Sequence, residues 1–270
     1  MTPSSPASLM AVDVGNSRVK LGAFPFSHGD GLPHPQHTAS LAPEWRDTEI
    51  MHGLPGDPAD YTWAIASVNR PSANRLIEWL GRRGVDCVRQ LALGDMPLRV
   101  DVAHPETVGV DRLANAVAVN RLRPAGQPAL IVSHGTAITI DIVGADGSFR
   151  GGAILPGIHM AARALNEFTD RLPLVEVNDA PEVLERSTVG AIRFGLFWGA
   201  VGAIREVIAR LPGGPDVQQI YLTGGAAPAL AAVLDTRTGA SWHFVPHLTL
   251  AGIGLAAEHA AAQEALKDSP

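Results

Sequence analysis

The short strings DVGNS at residues 13–17 and SHGTA at residues 133–137 have the same pattern and give the first indication of the fold. Each is a turn of small polar residues between two apolar runs, a pattern typical of a β-hairpin. The first hairpin is predicted over 9–24 and the second over 129–143, with a further turn at 145–147 that leads into a third run at 149–155. Because the pattern occurs twice at equivalent places, it favours an internal duplication over two unrelated ordinary hairpins.

The first turn has the chemistry of a phosphate-binding loop. Gly15 has no Cβ, so an anion can come close to the main chain, where the exposed N–H groups of a tight turn attract negative charge. Asn16 and Ser17 offer side-chain donors, and Lys20 offers a positive charge. Asp13 would face the phosphates across a cation. For either turn taken alone, an ordinary hairpin stays the alternative interpretation.

The two halves of the chain repeat one order of elements. A strand, a helix and a strand are predicted after each hairpin, with further helices at 112–122, 158–168, 189–211 and 250–266. This order indicates an α/β fold of two ribonuclease H-like (actin-like ATPase) domains, 1–118 and 119–270, each a mixed sheet opened by a hairpin, with a cleft between them. The final helix could pack back on the N-terminal domain. Residues 25–58 are predicted as long loops with at most a short helix at 45–51.

Composition excludes several classes of protein. The chain has 270 residues, a net charge of −6 and scattered Lys and Arg, so it lacks the basic stripe that nucleic-acid binding requires. The single cysteine, Cys87, lies in an apolar run, is expected in the core, and fits a reducing compartment. No signal sequence and no apolar run long enough to span a bilayer is recognisable. We therefore expect a cytoplasmic protein without membrane contact.

The string from Gly109 to Arg112 places an acid and a guanidinium at a predicted helix N-terminus, where a bound anion is favoured. Arg112 can hold a carboxylate in a bidentate fork, and Asp111 can accept the proton of a hydroxyl that attacks a γ-phosphate. In the alternative interpretation Asp111 only caps the helix and Arg112 pairs on the surface. Further along, a strand ends at Gly224 and Gly225, where backbone could approach an adenosine or simply enter a helix.

Taken together, five strings resemble the type III pantothenate kinase family, in order and over nearly the whole chain. They are Asp-x-Gly-Asn-Ser-x-x-Lys at 13–20, Gly-x-Asp-Arg at 109–112, Gly-Thr-Ala-x-Thr-x-Asp at 135–141, Gly-Gly-x-Ile-x-Pro-Gly at 151–157, and Ser187-Thr188 shortly before Gly195.

The resemblance implies transfer of the γ-phosphoryl group of ATP to the terminal hydroxyl of pantothenate, giving 4'-phosphopantothenate in the first step of coenzyme A biosynthesis. It implies Mg²⁺, for which Asp13 is a ligand, a monovalent cation (K⁺ or NH₄⁺), and a homodimer. Asp111 matches the general base. ATP contacts are implied for Asp13, Val14, Gly15, Asn16, Ser17, Lys20, Gly135, Thr136, Gly224 and Gly225, and pantothenate contacts for Gly109, Val110, Asp111, Arg112, Gly157 and, across the dimer interface, Thr188.

Two positions depart from the family pattern. Ser133 stands where the family usually has an Asp that binds the monovalent cation, so we expect potassium to bind weakly, differently or not at all. Protonated His134 could supply positive charge there instead, or could be an ordinary turn histidine. Val102 stands where a Tyr commonly contacts pantothenate, although the nearby Pro105 matches. Two alternatives therefore stay open, a noncatalytic regulatory relative of the Bvg accessory factor type and a kinase for another small hydroxy acid.

Overall fold

A computed structural model describes residues 8–25, 31–183, 185–234 and 239–267. By its internal contacts the chain divides into two compact units, Met1–Leu122 with His247–Pro270, and Arg123–Pro246. The predicted boundary at 118/119 falls inside a helix that continues to Leu122, and the C-terminal helix groups with the first unit.

The first unit contains a five-stranded mixed sheet with the strand order β3-β2-β1-β4-β5. Strands β1, β2 and β3 are antiparallel, whereas β4 and β5 follow β1 in parallel. The elements are β1 (Ser8–Val14), β2 (Val19–Pro25), β3 (His37–Leu41), α1 (Asp47–His52), β4 (Tyr61–Ser67), α2 (Arg70–Gly81), β5 (Val88–Gln90), α3 (Val110–Leu122) and, at the C-terminus, α7 (Leu248–Lys267).

The second unit repeats this topology. Its sheet has the order β10-β9-β6-β7-β8, in which β6, β7 and β8 are antiparallel and β9 and β10 follow β6 in parallel. The predicted duplication and fold class are thereby confirmed. The elements are β6 (Ala129–His134), β7 (Ala137–Val143), β8 (Phe149–Pro156), α4 (Ile158–Glu167), α5 (Thr188–Arg210), β9 (Gln219–Thr223), α6 (Ala227–Leu234) and β10 (Ser241–Phe244).

Helix α7 packs closely on α3, and this contact fixes the helix that carries Asp111. A Cβ atom at Gly252 would lie 1.8 Å from the carbonyl oxygen of Ala114, so only glycine lets the two backbones meet there. Next to it, the Thr249 hydroxyl donates to the Asn115 Oδ1 atom at 2.8 Å. Asn115 is buried, and this bond offsets part of the cost of burying its amide.

Residues 25–58 contain more structure than expected. The short helix is present as α1, but the expectation of loops was wrong at His37–Leu41, which form β3 as the third strand of the first sheet. Their burial alternates between half-buried and exposed, so the segment carries little hydrophobic signal, and pairing with β2 supplies its hydrogen bonds. Residues 26–30 of this stretch lie outside the described residues.

Cys87 is exposed, which corrects the expectation that it lies in the core. It directly precedes the three-residue edge strand β5, where its carbonyl oxygen accepts a hydrogen bond from the Trp63 amide at 2.8 Å. The neighbouring Val85 is buried instead. An apolar run at the edge of a sheet therefore buries only some of its side chains.

Within the described residues, no helix is both long and apolar enough to cross a membrane.

Candidate active site

The first hairpin presents a polar tip on a buried stem. Val14 is fully buried, so only its backbone is available for contact, whereas Asn16 and Ser17 are exposed at the turn. The Gly15 amide donates to the Arg18 carbonyl oxygen at 3.0 Å, which closes the turn. A Cβ atom at Gly15 would lie 3.2 Å from that oxygen, a tight contact that favours glycine.

Asp13 and Lys20 face each other near the tip of this hairpin, one pair below the last pair before the turn. They are directly paired in the β1–β2 ladder, and the Lys20 Nζ atom lies 3.8 Å from the Asp13 Oδ2 atom. Asp13 is buried, and this burial raises the pKa of its carboxyl to about 6. The positive charge of Lys20 opposes the rise, whereas the negative charge of Asp111 adds to it. Two carboxyl groups from distant parts of the sequence, Asp13 and Asp111, are thus close enough to influence each other.

Asp111 lies in the first turn of α3. Its Oδ1 atom is 2.4 Å from the place where a Cβ atom of Gly109 would be, so glycine makes room for the carboxylate. Burial raises the pKa of the Asp111 carboxyl, while hydrogen bonds from the amides of Arg112 and Asp111 and the charge of Arg112 oppose this. The carboxylate therefore accepts hydrogen bonds at the helix N-terminus, in agreement with the interpretation that Asp111 caps the helix. Its charge also influences the carboxyl of Asp13.

The donor set in the first unit suits Mg²⁺. Magnesium in kinases is usually bound by one or two carboxylates together with waters and substrate phosphates, and the buried Asp13 offers one such carboxylate. In the described part of the chain, no group of three or more His, Cys, Asp or Glu side chains is placed to hold a metal ion. The site would thus need the phosphates of its nucleotide to complete the coordination.

In the second hairpin, Gly157 packs directly on the turn. Its amide donates to the Thr136 carbonyl oxygen at 3.0 Å, and a Cβ atom would lie 2.4 Å from that oxygen and 2.5 Å from the Gly135 oxygen. Gly157 also precedes the first residue of α4. The structure therefore brings Gly157 against the neighbouring residues Gly135 and Thr136, which precede it in the sequence by the strands β7 and β8 and the turn between them. Thr188, in contrast, is exposed in the first turn of α5, whose cap is the Ser187 hydroxyl accepting from the Gly190 amide at 3.0 Å.

Ser133 is one of several polar residues on the same face of the second sheet. It pairs with Thr139 across the hairpin and with Thr223 in the parallel strand, and paired residues share a face. Thr139 has a buried hydroxyl without a hydrogen-bond partner among the described residues. Asp141, two positions further along β7, is fully buried. Thr139, Asp141 and Thr223 were not expected at the site, although polar residues alternate along β7 at Thr139 and Asp141.

His134 lies on the opposite face and is neutral. Burial, the main cause, lowers the pKa of its imidazole to about 4, the nearby His159 lowers it further, and a hydrogen bond to the Ala226 carbonyl oxygen opposes the shift. The suggestion that a protonated His134 replaces the monovalent cation is therefore wrong, because at neutral pH the ring carries no charge. The burial of this imidazole depends on residues distant in the sequence and could not be recognised from the sequence.

The Gly-Gly turn lies directly against the second hairpin. Gly224 has a φ angle of +102°, and a Cβ atom there would lie 2.3 Å from the His134 carbonyl oxygen. Gly225, in contrast, has no atom within 4 Å of its Cβ position apart from its chain neighbours. The first glycine is thus required by the fold, whereas the second leaves open space beside the backbone.

A repeated sheet that opens with a glycine-containing polar hairpin defines a protein of the actin-like ATPase fold. Asp111 at the start of α3 influences Asp13, and an acid in such a position can accept the proton of a hydroxyl in phosphoryl transfer. Residues 9–210 match the family described as type III pantothenate kinase. The chain is 34% identical to the type III pantothenate kinase of Chlorobaculum parvum, over 83% of this chain and 87% of that protein. It is 31% identical to that of Ruegeria sp., over 93% and 96%. The chain belongs to the type III pantothenate kinase family.

Solved structures agree on the fold. A Campylobacter jejuni protein named as a Baf family transcriptional activator superposes with a TM-score of 0.60 at 19% identity, covering 94% of this chain and all of that one. The activator of the 2-hydroxyisocaproyl-CoA dehydratase from Clostridium difficile, which holds ADPNP, gives a TM-score of 0.51 at 12% identity, covering 97% and 98%. At such identities the likeness concerns the fold alone. The predicted family and kinase activity are confirmed by the sequence matches, and the roles of single residues stay predictions.

Proposed function

We propose that this protein transfers the γ-phosphoryl group of ATP to the terminal hydroxyl of pantothenate, with Asp111 as the group that accepts the hydroxyl proton. The observation that carries the assignment of the base is the partly buried Asp111 carboxyl, which lies in the first turn of α3 and influences Asp13. Its raised pKa makes the carboxylate a better proton acceptor than a solvated one. Arg112, the next residue, is proposed to hold the carboxylate of pantothenate in a bidentate fork.

The first hairpin supplies groups that suit the phosphates. The exposed Asn16 and Ser17 side chains and the amides of the turn are proposed donors to phosphate oxygens, and Lys20 supplies positive charge. Mg²⁺, when bound at Asp13, would neutralise charge on the phosphates. In the second hairpin, Gly135 and Thr136 are proposed as further phosphate contacts, with Gly157 for pantothenate. Gly224 and Gly225 are proposed to contact the adenosine.

We expect no strong monovalent cation site at Ser133. Ser133, Thr139 and Thr223 offer neutral hydroxyl oxygens on one face of the sheet, in place of the Asp that the family resemblance implies. A hard cation binds neutral oxygens more weakly than a carboxylate. Phosphorylation should therefore be largely independent of potassium and ammonium.

A homodimer is supported by exposed apolar side chains near Thr188. Five large hydrophobic residues between positions 160 and 189 are exposed, whereas no segment of that length outside 154–189 contains more than two in the described residues. Large exposed apolar surfaces are typical of protein interfaces, so a concentration of such side chains in one segment fits this role. These residues are Met160, Phe168, Leu174, Val183 and Val189. We propose that a second copy of the chain covers them.

The deciding experiment is ATP-dependent phosphorylation of pantothenate by the purified protein, with mass detection of the product, for the wild type, Asp111→Asn and the exposed control Asp101→Asn. We expect Asp111→Asn to lose about 10²- to 10⁴-fold in kcat, the usual contribution of a general base, while ATP affinity and Asp101→Asn stay near the wild type. Unchanged turnover in Asp111→Asn would refute the base. No product from a wild type that binds ATP would favour the regulatory relative, and turnover of a different hydroxy acid would favour the other kinase.

A further inference from the structure

His134 and Ala226 are joined by two hydrogen bonds although they are 92 positions apart in the sequence. The Ala226 amide donates to the His134 carbonyl oxygen at 3.2 Å, and the His134 Nδ1 atom lies 3.2 Å from the Ala226 carbonyl oxygen. We call this pair of bonds the His134–Ala226 latch. It lies just beyond the end of the β6–β9 ladder, whose last pair is Ser133 with Thr223.

The chemistry of the latch defines the tautomer of the imidazole. A carbonyl oxygen only accepts hydrogen bonds, so the proton of the neutral ring is on Nδ1. The Nε2 atom is then an acceptor, and it is buried without a hydrogen-bond partner among the described residues. Burying an unpaired ring nitrogen costs free energy. A phenyl ring would fill the same space without that cost, so packing alone does not account for histidine at this position.

The segment that the latch holds is the Gly-Gly turn. Gly224 lies between the end of β9 and Ala226, and its left-handed backbone brings it against the His134 peptide. The side chain of His134 is 1% exposed, so the bond to Ala226 is shielded from competing water. One side chain at the end of the second hairpin therefore restrains both the position and the orientation of the peptide groups after Gly225.

We propose that His134 is a positioning residue, which fixes the Gly224–Ala226 turn to the second hairpin and thereby sets the affinity for the nucleotide. This inference rests on the proposed adenosine contact at Gly224 and Gly225. A turn that is already ordered before binding pays less conformational entropy when the nucleotide arrives. Loss of the latch should weaken ATP binding and leave the phosphoryl transfer step and the pantothenate contacts unchanged.

Two substitutions separate the hydrogen bond from the packing of the ring. His134→Phe keeps an aromatic ring but has no donor, whereas the amide of His134→Asn can still donate to the Ala226 carbonyl oxygen. His52→Asn, which replaces an exposed histidine on α1 in the first unit, is the matched control. The readouts are the Kd of ATP by calorimetry, kcat, the KM of each substrate, and hydrogen exchange of the peptide that covers residues 220–230.

We expect His134→Phe to raise the Kd and KM for ATP about tenfold and to accelerate exchange at the turn, with kcat and the KM for pantothenate within about twofold of the wild type. His134→Asn should recover most of the ATP affinity, and His52→Asn should match the wild type. Equal losses in the Phe and Asn variants, a parallel rise in both KM values, or unchanged ATP affinity in His134→Phe would overturn the proposal.

The outcome stays separable from that of the proposed function. A wild type that binds ATP but phosphorylates no pantothenate would refute the kinase assignment, while the Kd and exchange measurements would still decide the role of His134. If His134→Phe fails to fold, ¹⁵N shifts of the wild-type imidazole at neutral pH decide instead. A ring protonated on Nδ1 whose shifts change when ATP binds supports the latch, and a ring protonated on Nε2 refutes it.

Discussion

Asp13 and Lys20 form a directly opposed pair near the tip of the first hairpin, with the Lys20 Nζ atom 3.8 Å from the Asp13 Oδ2 atom. The lysine does not fully compensate the buried carboxylate, because burial still raises the pKa of Asp13 to about 6. A buried carboxylate that is ionised at neutral pH lowers the free energy of unfolding. Substitution of Asp13 therefore allows this loss of stability to be measured.

Asp13→Asn should stabilise the fold in a pH-dependent way. Between pH 3.8 and about 6 the folded wild type holds a proton that the unfolded chain has lost, so wild-type stability falls as the pH rises through this window. The uncharged amide removes this dependence. Above pH 6 we expect the Asp13→Asn substitution to increase the free energy of unfolding by about 2 to 3 kcal/mol, with no gain below pH 4.

Urea denaturation at pH 8 and pH 4 checks this expectation. The same variant should lose ATP-dependent activity, since Asp13 is the proposed Mg²⁺ ligand. A stability difference that is the same at both pH values would contradict the raised pKa.

The adjacent glycines of the Gly-Gly turn should respond differently to alanine. Gly224→Ala places a Cβ atom 2.3 Å from the His134 oxygen in a left-handed backbone, whereas Gly225→Ala meets no atom within 4 Å. We expect the first to reduce the free energy of unfolding by about 2 to 4 kcal/mol and the second to change it by less than about 1 kcal/mol. Thermal and urea denaturation of both variants measure this. Similar destabilisation by both would contradict the described turn.

Gly225→Ala also tests the adenosine contact. Because the space beside Gly225 is open in the protein, a methyl group there should weaken nucleotide binding without unfolding the chain. Calorimetric titration with ATP provides the measurement. Full ATP affinity in Gly225→Ala would show that the adenosine lies elsewhere.

Ser133→Asp should create a response to potassium. The substitution adds a carboxylate next to the hydroxyls of Thr139 and Thr223, and anionic oxygen raises the affinity for a hard cation. Initial rates of phosphorylation in potassium, ammonium and sodium chloride at equal ionic strength should differ for this variant and agree for the wild type. Ser133→Ala is the matched control and should show no response. Equal rates in all three salts for Ser133→Asp would place the cation site elsewhere.

Phe168→Ser should weaken self-association. Phe168 is 81% exposed, the largest value among the exposed large hydrophobic residues that the structure describes, and it follows α4 in the segment proposed as the dimer interface. Sedimentation velocity should show dissociation of Phe168→Ser at concentrations where the wild type is dimeric. Phe244→Ser, at 44% exposure on β10, is the control and should leave the mass unchanged. A monomeric wild type, or a dimeric Phe168→Ser, would refute this interface.

The duplication, the family and the element order apart from β3 follow from the sequence alone. Hairpins with polar glycine-containing turns are encoded locally, since each turn needs only its own residues. The string Gly109–Arg112 lies at the start of a helix that the hydrophobic periodicity also predicts. The sequence did not reveal β3, because an exposed edge strand needs its partner rather than a hydrophobic pattern. The same reason explains why the apolar run around Cys87 leaves that side chain exposed.

The protonation of Asp13 and His134 and the contacts between distant segments at the site depend on the tertiary structure. The raised pKa of Asp13 depends on burial by the surrounding sheet and on Asp111, which is distant in the sequence. The neutral state of His134 and its bond to Ala226 likewise depend on residues brought together by parallel pairing of β6 and β9. Desolvation is a property of everything packed around a group, so short motifs specify which groups are present but not their protonation.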